Sequence, residues 1–296
     1  ITEGLVGSEM CIRDRVMVLY GSAYPVGKIG TLDAPPLFLS SMRVFCVFLF
    51  FLPFFRLRLP PIHLIIPLFG FSISMGVCTY AFMYYSLSST SLVAPIVIGA
   101  QLAIPFGLIL SLIFLNERIS TAKWFMIFIS LTGIVVIAFD PKFIDERLAL
   151  FFCILMAFFY SAANMMARYL NEIDTSVLNG WCNFIAFFPL ILLSNYIDGN
   201  TVSILLQLNT STFLVILHAS LVVSVIGHAG MFYLYRFYPV NVVLPFYSLF
   251  PVFGIILTYL MFNEILTLQQ LIGGFMVVGS VYLIHVLNKK EAILKA

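Results

Sequence analysis

Residues 103–120 read AIPFGLILSLIFLNERIS, and residues 251–274 read PVFGIILTYLMFNEILTLQQLIGG. Each is an apolar run that carries a proline near its start, closes on Asn-Glu and gives way to a further apolar stretch. Asn116-Glu117 and Asn263-Glu264 lie 147 residues apart in a chain of 296. A motif that recurs at close to half the chain length points to an internal duplication, which has to be settled before any fold is assigned.

The composition names the solvent. Hydrophobic residues make up 62% of the chain and charged ones only 9%, against about a quarter charged in ordinary globular proteins. The mean hydropathy is +1.08. So few charges cannot cover a water-soluble surface of this size, so the chain belongs in lipid. The formal net charge of +2 is too slight for a nucleic-acid footprint. Cys11, Cys46, Cys78, Cys153 and Cys182 form no CxxC pair and have no nearby His, so neither disulfide nor metal site is expected. HExxH, GxSxG, P-loop and GxGxxG patterns are absent, which argues against an enzyme. No cofactor is implied.

A bilayer core takes about 20 apolar residues per helix at ~1.5 Å each. On that measure spans fall near 16–31, 36–55, 62–86, 90–115, 121–139, 148–170, 176–195, 213–235, 240–261 and 267–287. The reading is an all-α integral membrane protein of ten transmembrane helices. Arg56, Arg58, Arg118, Lys123, Arg168, Arg236, Lys289, Lys290 and Lys295 fall on one side, against Lys142 and Arg147 on the other. The positive-inside rule therefore puts both termini, including the tail 288–296, in the cytoplasm, with the protein multi-pass in the cell (inner) membrane. Residues 1–15 are set apart: LVGSEMCIRDR at 5–15 resembles the translation of a sequencing adapter and is excluded from the fold as an artefact.

Five spans per half is an odd number, so the halves 16–139 and 148–287 must lie inverted relative to each other. That is the architecture of many secondary transporters, with the substrate near the midplane between repeats. The polar residues repeat too. Tyr20, Tyr24 and Lys28 share one helix face and correspond, 140 residues on, to Tyr160, Asn164 and Arg168. Ser72, Gly76, Tyr80 and Tyr84 correspond, 148 residues on, to Ser220, Ser224, His228 and Phe232. Gly99, Ala103 and Gly107 form a small-residue packing ridge, with Gln101 between them as a cavity-lining candidate.

YGSAYPVGKIG with PPLFLSSMR at 20–43, together with the two stretches quoted first, resembles the drug/metabolite transporter superfamily, specifically its EamA branch of ten-helix carriers. The resemblance covers nearly all of the chain after residue 15. It implies two EamA repeats, export or sometimes import of small metabolites such as amino acids and nucleosides, and a cavity lined by the first, third and fourth helices of each half. Met126 departs from the pattern, standing where Gly273 suggests a glycine.

Lys28 and Arg43 are cations inside spans that contain no Asp or Glu. Intramembrane ionisable residues are functional candidates by default, and a net basic interior suits a substrate that brings a carboxylate. Snorkelling is the alternative for Lys28. His228 can carry a coupling proton or serve as a hydrogen-bonding residue. The substrate-binding candidates are Tyr20, Tyr24, Lys28, Arg43, Tyr80, Tyr84, Gln101, Tyr160, Asn164, His228 and Tyr247. The expected function is alternating-access secondary transport, in the exporting direction, of a small metabolite such as an amino acid. Rival readings are a multidrug or nucleoside exporter of the same superfamily, or a polytopic lipid-modifying enzyme. The expected partners are a small-molecule substrate and the bilayer, with no nucleic acid and with room for a homodimer.

Overall fold

The computed structural model describes residues 2–53, 60–116, 119–227 and 249–295, and no strand occurs among them. The helices are α1 (Thr2–Asp33), α2 (Pro36–Phe51), α3 (Ile62–Ser88), α4 (Ala94–Phe114), α5 (Thr121–Ala138), α6 (Arg147–Ala167), α7 (Thr175–Ile197), the short α8 (Thr201–Leu206), α9 (Thr210–Gly227), α10 (Phe250–Phe262) and α11 (Leu268–Lys295). Seven are long and apolar enough to cross a membrane, and α2 and α10 are shorter apolar helices. Helix α1 continues towards the N-terminus past residue 16, where the apolar run begins, as far as Thr2. The 140–147 and 198–212 connections contain a 3-10 turn at Ile144–Glu146 and α8.

The Asn-Glu motif has a local explanation. Asn116 (φ 52°) and Asn263 (φ 53°) are the only non-glycine residues at positive φ among those described. Each ends its helix in the left-handed conformation, which asparagine tolerates better than most residues and which turns the chain sharply after the last turn. Glu264 then reaches away from its own helix. Its carboxylate accepts hydrogen bonds from the backbone N–H groups of Val93 (2.8 Å) and Ala94 (3.0 Å), at the N-terminus of α4.

That arrangement recurs along the same end of the bundle. Proline-led helix starts supply no capping side chain of their own, and the first N–H groups of a helix need partners. Asp198, at the end of α7, accepts from the N–H of Phe38 at the start of α2 (2.9 Å) and from Ser194 (3.1 Å). Asp140, after α5, is bonded to Thr267 before α11 and to Gln270 (3.4 Å). Glu146 accepts from the N–H and hydroxyl of Ser91 (2.8 and 2.5 Å) and from the hydroxyl of Thr90. Asp198 and Glu264 thus complete helix N-termini directly, which the positive end of the helix dipole favours, while Asp140 and Glu146 hold the side chains of the segments leading into α11 and α4.

Packing brings sequence-distant helices together. Helix α1 lies against α10, α3 and α9, α2 against α7, and α5 against α11. Buried residues on α1 to α6 and α9 to α11 form the main core, with Phe38, Leu87, Ile96, Val97, Leu102, Met156 and Ile216 among them. In α3 the segment Ser72–Thr79 is wound as a π-helix, and in α9 so is His218–Gly227. Such widened turns concentrate at functional sites.

Candidate functional site

A cavity of about 120 Å³ lies inside the bundle, walled by α1, α2, α3, α4, α6, α9 and α10. Of the residues singled out in the sequence, Tyr20, Tyr24, Arg43, Tyr80, Gln101, Tyr160 and Asn164 line it together. Lys28 and Tyr84 are not in its wall. His228 and Tyr247 lie outside the described residues.

Arg43 sits mid-way along α2 and is 3% exposed. Its Nε and Nη2 donate to the Ser224 hydroxyl (3.2 and 3.0 Å), and Nη1 faces the Met83 sulfur at 3.9 Å. The guanidinium carbon stands 4.0 Å from the Tyr80 ring centroid, and the Tyr84 phenol lies beside the same group. The Ser224 hydroxyl donates its own hydrogen bond to the Ala219 carbonyl (3.0 Å), so its lone pairs are turned to Arg43. All of these partners are neutral. An arginine at the centre of a membrane helix costs about 2.5–3.5 kcal/mol on translocon scales, and a cation–π contact returns roughly 2 kcal/mol when desolvated.

Gln101 lies in the 3-10 turn Ala100–Leu102, which interrupts α4 just before Pro105. The residue is 1% exposed, and its Nε2 makes no hydrogen bond to any described residue. A buried amide donor left unpaired costs about 1–3 kcal/mol, and here it belongs to a residue of the cavity wall. Tyr24 stacks on Phe250 with ring centroids 6.1 Å apart and planes 7° from parallel, which gives the cavity a flat aromatic side.

Lys28 is spent elsewhere. One turn beyond Tyr24 on α1, its ammonium donates to the carbonyls of Leu87 (2.9 Å) and Thr90 (2.5 Å). Those carbonyls belong to the end of α3 and to the connection into α4, the same connection that Glu146 and Glu264 hold. The arrangement is a latch one turn past the cavity, tying α1 to the end of α3 and its connection into α4.

Sequence reasoning passed over several wall residues: Met75, Thr79, Met83, Met156 and Phe250. They are apolar or small and carry no chemical signature. His218, whose Nε2 lies 3.1 Å from the Ser22 hydroxyl between α9 and α1, was missed because it stands near the expected start of its span.

The profile of the EamA-like transporter family matches residues 16–139 and again 147–286. The chain is 24% identical over 278 residues to a protein of Escherichia coli (strain K12) named "Probable amino-acid metabolite efflux pump", covering 90% of this chain and 91% of that one. It is 25% identical to the "Uncharacterized transporter YdfC" of Bacillus subtilis (strain 168), covering 96% and 94%. A solved crystal structure superposes with a TM-score of 0.63 at 16% identity, over 96% of this chain and 98% of that one, so the likeness there is one of fold. Helices apolar enough to cross a membrane and a family profile matched twice lead to one conclusion. The chain is a multi-pass membrane protein and belongs to the EamA-like transporter family.

Proposed function

We propose that this chain is a secondary transporter that exports a small metabolite, an amino acid or close relative, by alternating access at the cavity between two inverted five-helix repeats. Ten spans, an inner-membrane location and cytoplasmic termini are part of the reading. The observation that carries it is the cavity itself, which draws Tyr20, Tyr24, Arg43, Tyr80 and Gln101 from the first half and Tyr160, Asn164, Val223 and Phe250 from the second. A site between repeats is where rocking of one half against the other changes access.

Paired contacts support the repeat. A Cβ on Gly21 would lie 2.7 Å from the Gly254 nitrogen, where α1 crosses α10, and a Cβ on Gly107 would lie 3.1 Å from the Ser161 oxygen, where α4 crosses α6. Gly21 and Ser161 are related by the 140-residue offset, and Gly107 and Gly254 by the 147-residue offset. Likewise the Ser72 hydroxyl donates to Leu68 (2.7 Å) and the Ser220 hydroxyl to Ile216 (2.6 Å), each beside a π-wound segment. Each pair is one contact used twice.

A water needs about 10–15 Å³ of such space, so the cavity holds a molecule of amino-acid size rather than a large drug. Arg43, the one cation among the described residues of its wall, also disfavours cationic drugs. The test is uptake and efflux in reconstituted vesicles with pooled amino acids and nucleosides at two imposed pH gradients. Saturable movement of an amino acid supports the reading. Movement of nucleosides or cationic dyes alone would replace it.

A further inference from the structure

We propose that Arg43 and Gln101 are the carboxylate-receiving end of the cavity, so that this carrier selects metabolites bearing a free carboxylate. The inference rests on the transport reading above and adds the substrate class and the residues that read it.

No Asp or Glu lies in any of the ten apolar runs, and the groups around the Arg43 guanidinium are a hydroxyl, a thioether, a phenol and an aromatic face. A planar guanidinium presents five N–H donors in a fork that matches a carboxylate. Ser224 takes two of these donors, which fixes the plane of the group without neutralising it.

Independently of charge, the Gln101 Nε2 is buried in the wall of the same cavity with no acceptor among the described residues. Evolution and chemistry both disfavour a buried donor without a use. An oxygen-rich anion supplies acceptors to both groups at once.

Arg43 differs from Lys28: the Lys28 ammonium already donates to two carbonyls outside the cavity, so among the described residues a substrate anion meets one cation, not two. A monocarboxylate is matched in charge, whereas a dianion is not. The aromatic side made by Tyr24 and Phe250 can face either an ammonium or an alkyl group, so the shared recognition element is the carboxylate, in an α-amino acid or in a simple carboxylic acid.

The test is ligand-induced thermal stabilisation of the purified full chain in detergent. The probes are the proteinogenic L-amino acids, their amides, and the matching deaminated acids with their amides. The wild type should be stabilised saturably by at least one carboxylate and not by its amide. Arg43→Gln should abolish that stabilisation, and Gln101→Met, which keeps the side-chain length without the donor, should raise the half-saturating concentration about tenfold. Ser224→Ala should weaken binding less than Arg43→Gln, because it frees the guanidinium without removing it. If Arg43→Gln does not fold, the Gln101→Met result and the wild-type discrimination between acid and amide decide. Equal stabilisation by acid and amide, no carboxylate effect in the wild type, or unchanged binding in Gln101→Met would overturn the proposal. Stabilisation by amino acids but not by deaminated acids, or by both, identifies the source of the carboxylate and supports it either way. Arg43-dependent binding without vesicle transport would sink the transport reading and leave the site standing. Transport indifferent to the carboxylate would do the reverse.

Discussion

Gly133 of α5 and Gly273 of α11 face each other so closely that a Cβ on Gly133 would stand 2.7 Å from the Gly273 carbonyl oxygen, and one on Gly273 would stand 2.6 Å from the Gly133 carbonyl oxygen. Backbone meets backbone at this crossing. In lipid, where helices gain nothing by leaving water, such contact is a main source of association. The pairing also answers the Met126 departure: α5 meets α11 through a glycine one helical stretch later in its sequence.

The first prediction follows from that crossing. Gly133→Val or Gly273→Val should destabilise the purified protein by about 1–3 kcal/mol, the usual range for overpacking. Gly279→Ala, on α11 with nothing within 4 Å of the added carbon, should be neutral or slightly stabilising. Thermal unfolding in detergent compares the three, and equal transitions would mean that α5 and α11 do not meet as described.

A second prediction concerns Glu264. Burial holds its carboxyl above the ordinary carboxylate range even though the Val93 and Ala94 amides pull the other way. A carboxyl whose folded pKa is raised adds an unfavourable term that is absent at low pH, grows as pH rises from the unfolded value to the folded one, and is complete above it. Glu264→Gln lacks this term, though it keeps only one acceptor oxygen and so carries a constant offset. Measured from pH 4.5 to 8, the stability of the variant relative to wild type should therefore improve as pH rises. A decline with rising pH would mean that the two amides outweigh burial.

A third prediction tests inversion. Single cysteines placed directly after Asn116-Glu117 and after Asn263-Glu264 should react with an impermeant thiol reagent from opposite sides of the membrane, the first from the cytoplasm and the second from outside. Reaction of both from the same side would contradict the inverted arrangement.

How much of this was legible in the sequence depends on what each residue does. Apolar length and proline placement mark the helices because lipid enforces internal backbone hydrogen bonding, and Arg43 and Gln101 stood out as polar groups in apolar runs. The Asn-Glu pair was visible as a repeat, but its physical content was not, since the left-handed Asn263 and the capping of α4 by Glu264 join residues about 170 positions apart. Lys28 shows the limit most clearly. Its place on the face of Tyr20 and Tyr24 is a fact of helical period, yet where its flexible four-carbon stem delivers the ammonium depends on which carbonyls the fold brings near. The π-winding of α3 and α9 likewise changes which residues share a face, so Thr79 enters the cavity wall while Tyr84 lies behind it.

We propose that the cavity is the transport path and that the bonds of Lys28 to the Leu87 and Thr90 carbonyls hold closed the side expected to face outward. Ala23 lines the cavity one turn before the latch, and Ala23→Cys can report its exposure, with the parent chain as the blank for native cysteines. An impermeant thiol reagent should label it readily in inside-out vesicles and slowly on intact cells. Adding Lys28→Gln should speed labelling from outside about tenfold or more, the shift expected for losing a charged hydrogen bond worth about 1.5–3 kcal/mol. Rapid labelling from outside with Lys28 intact, or no change on its removal, would contradict the account.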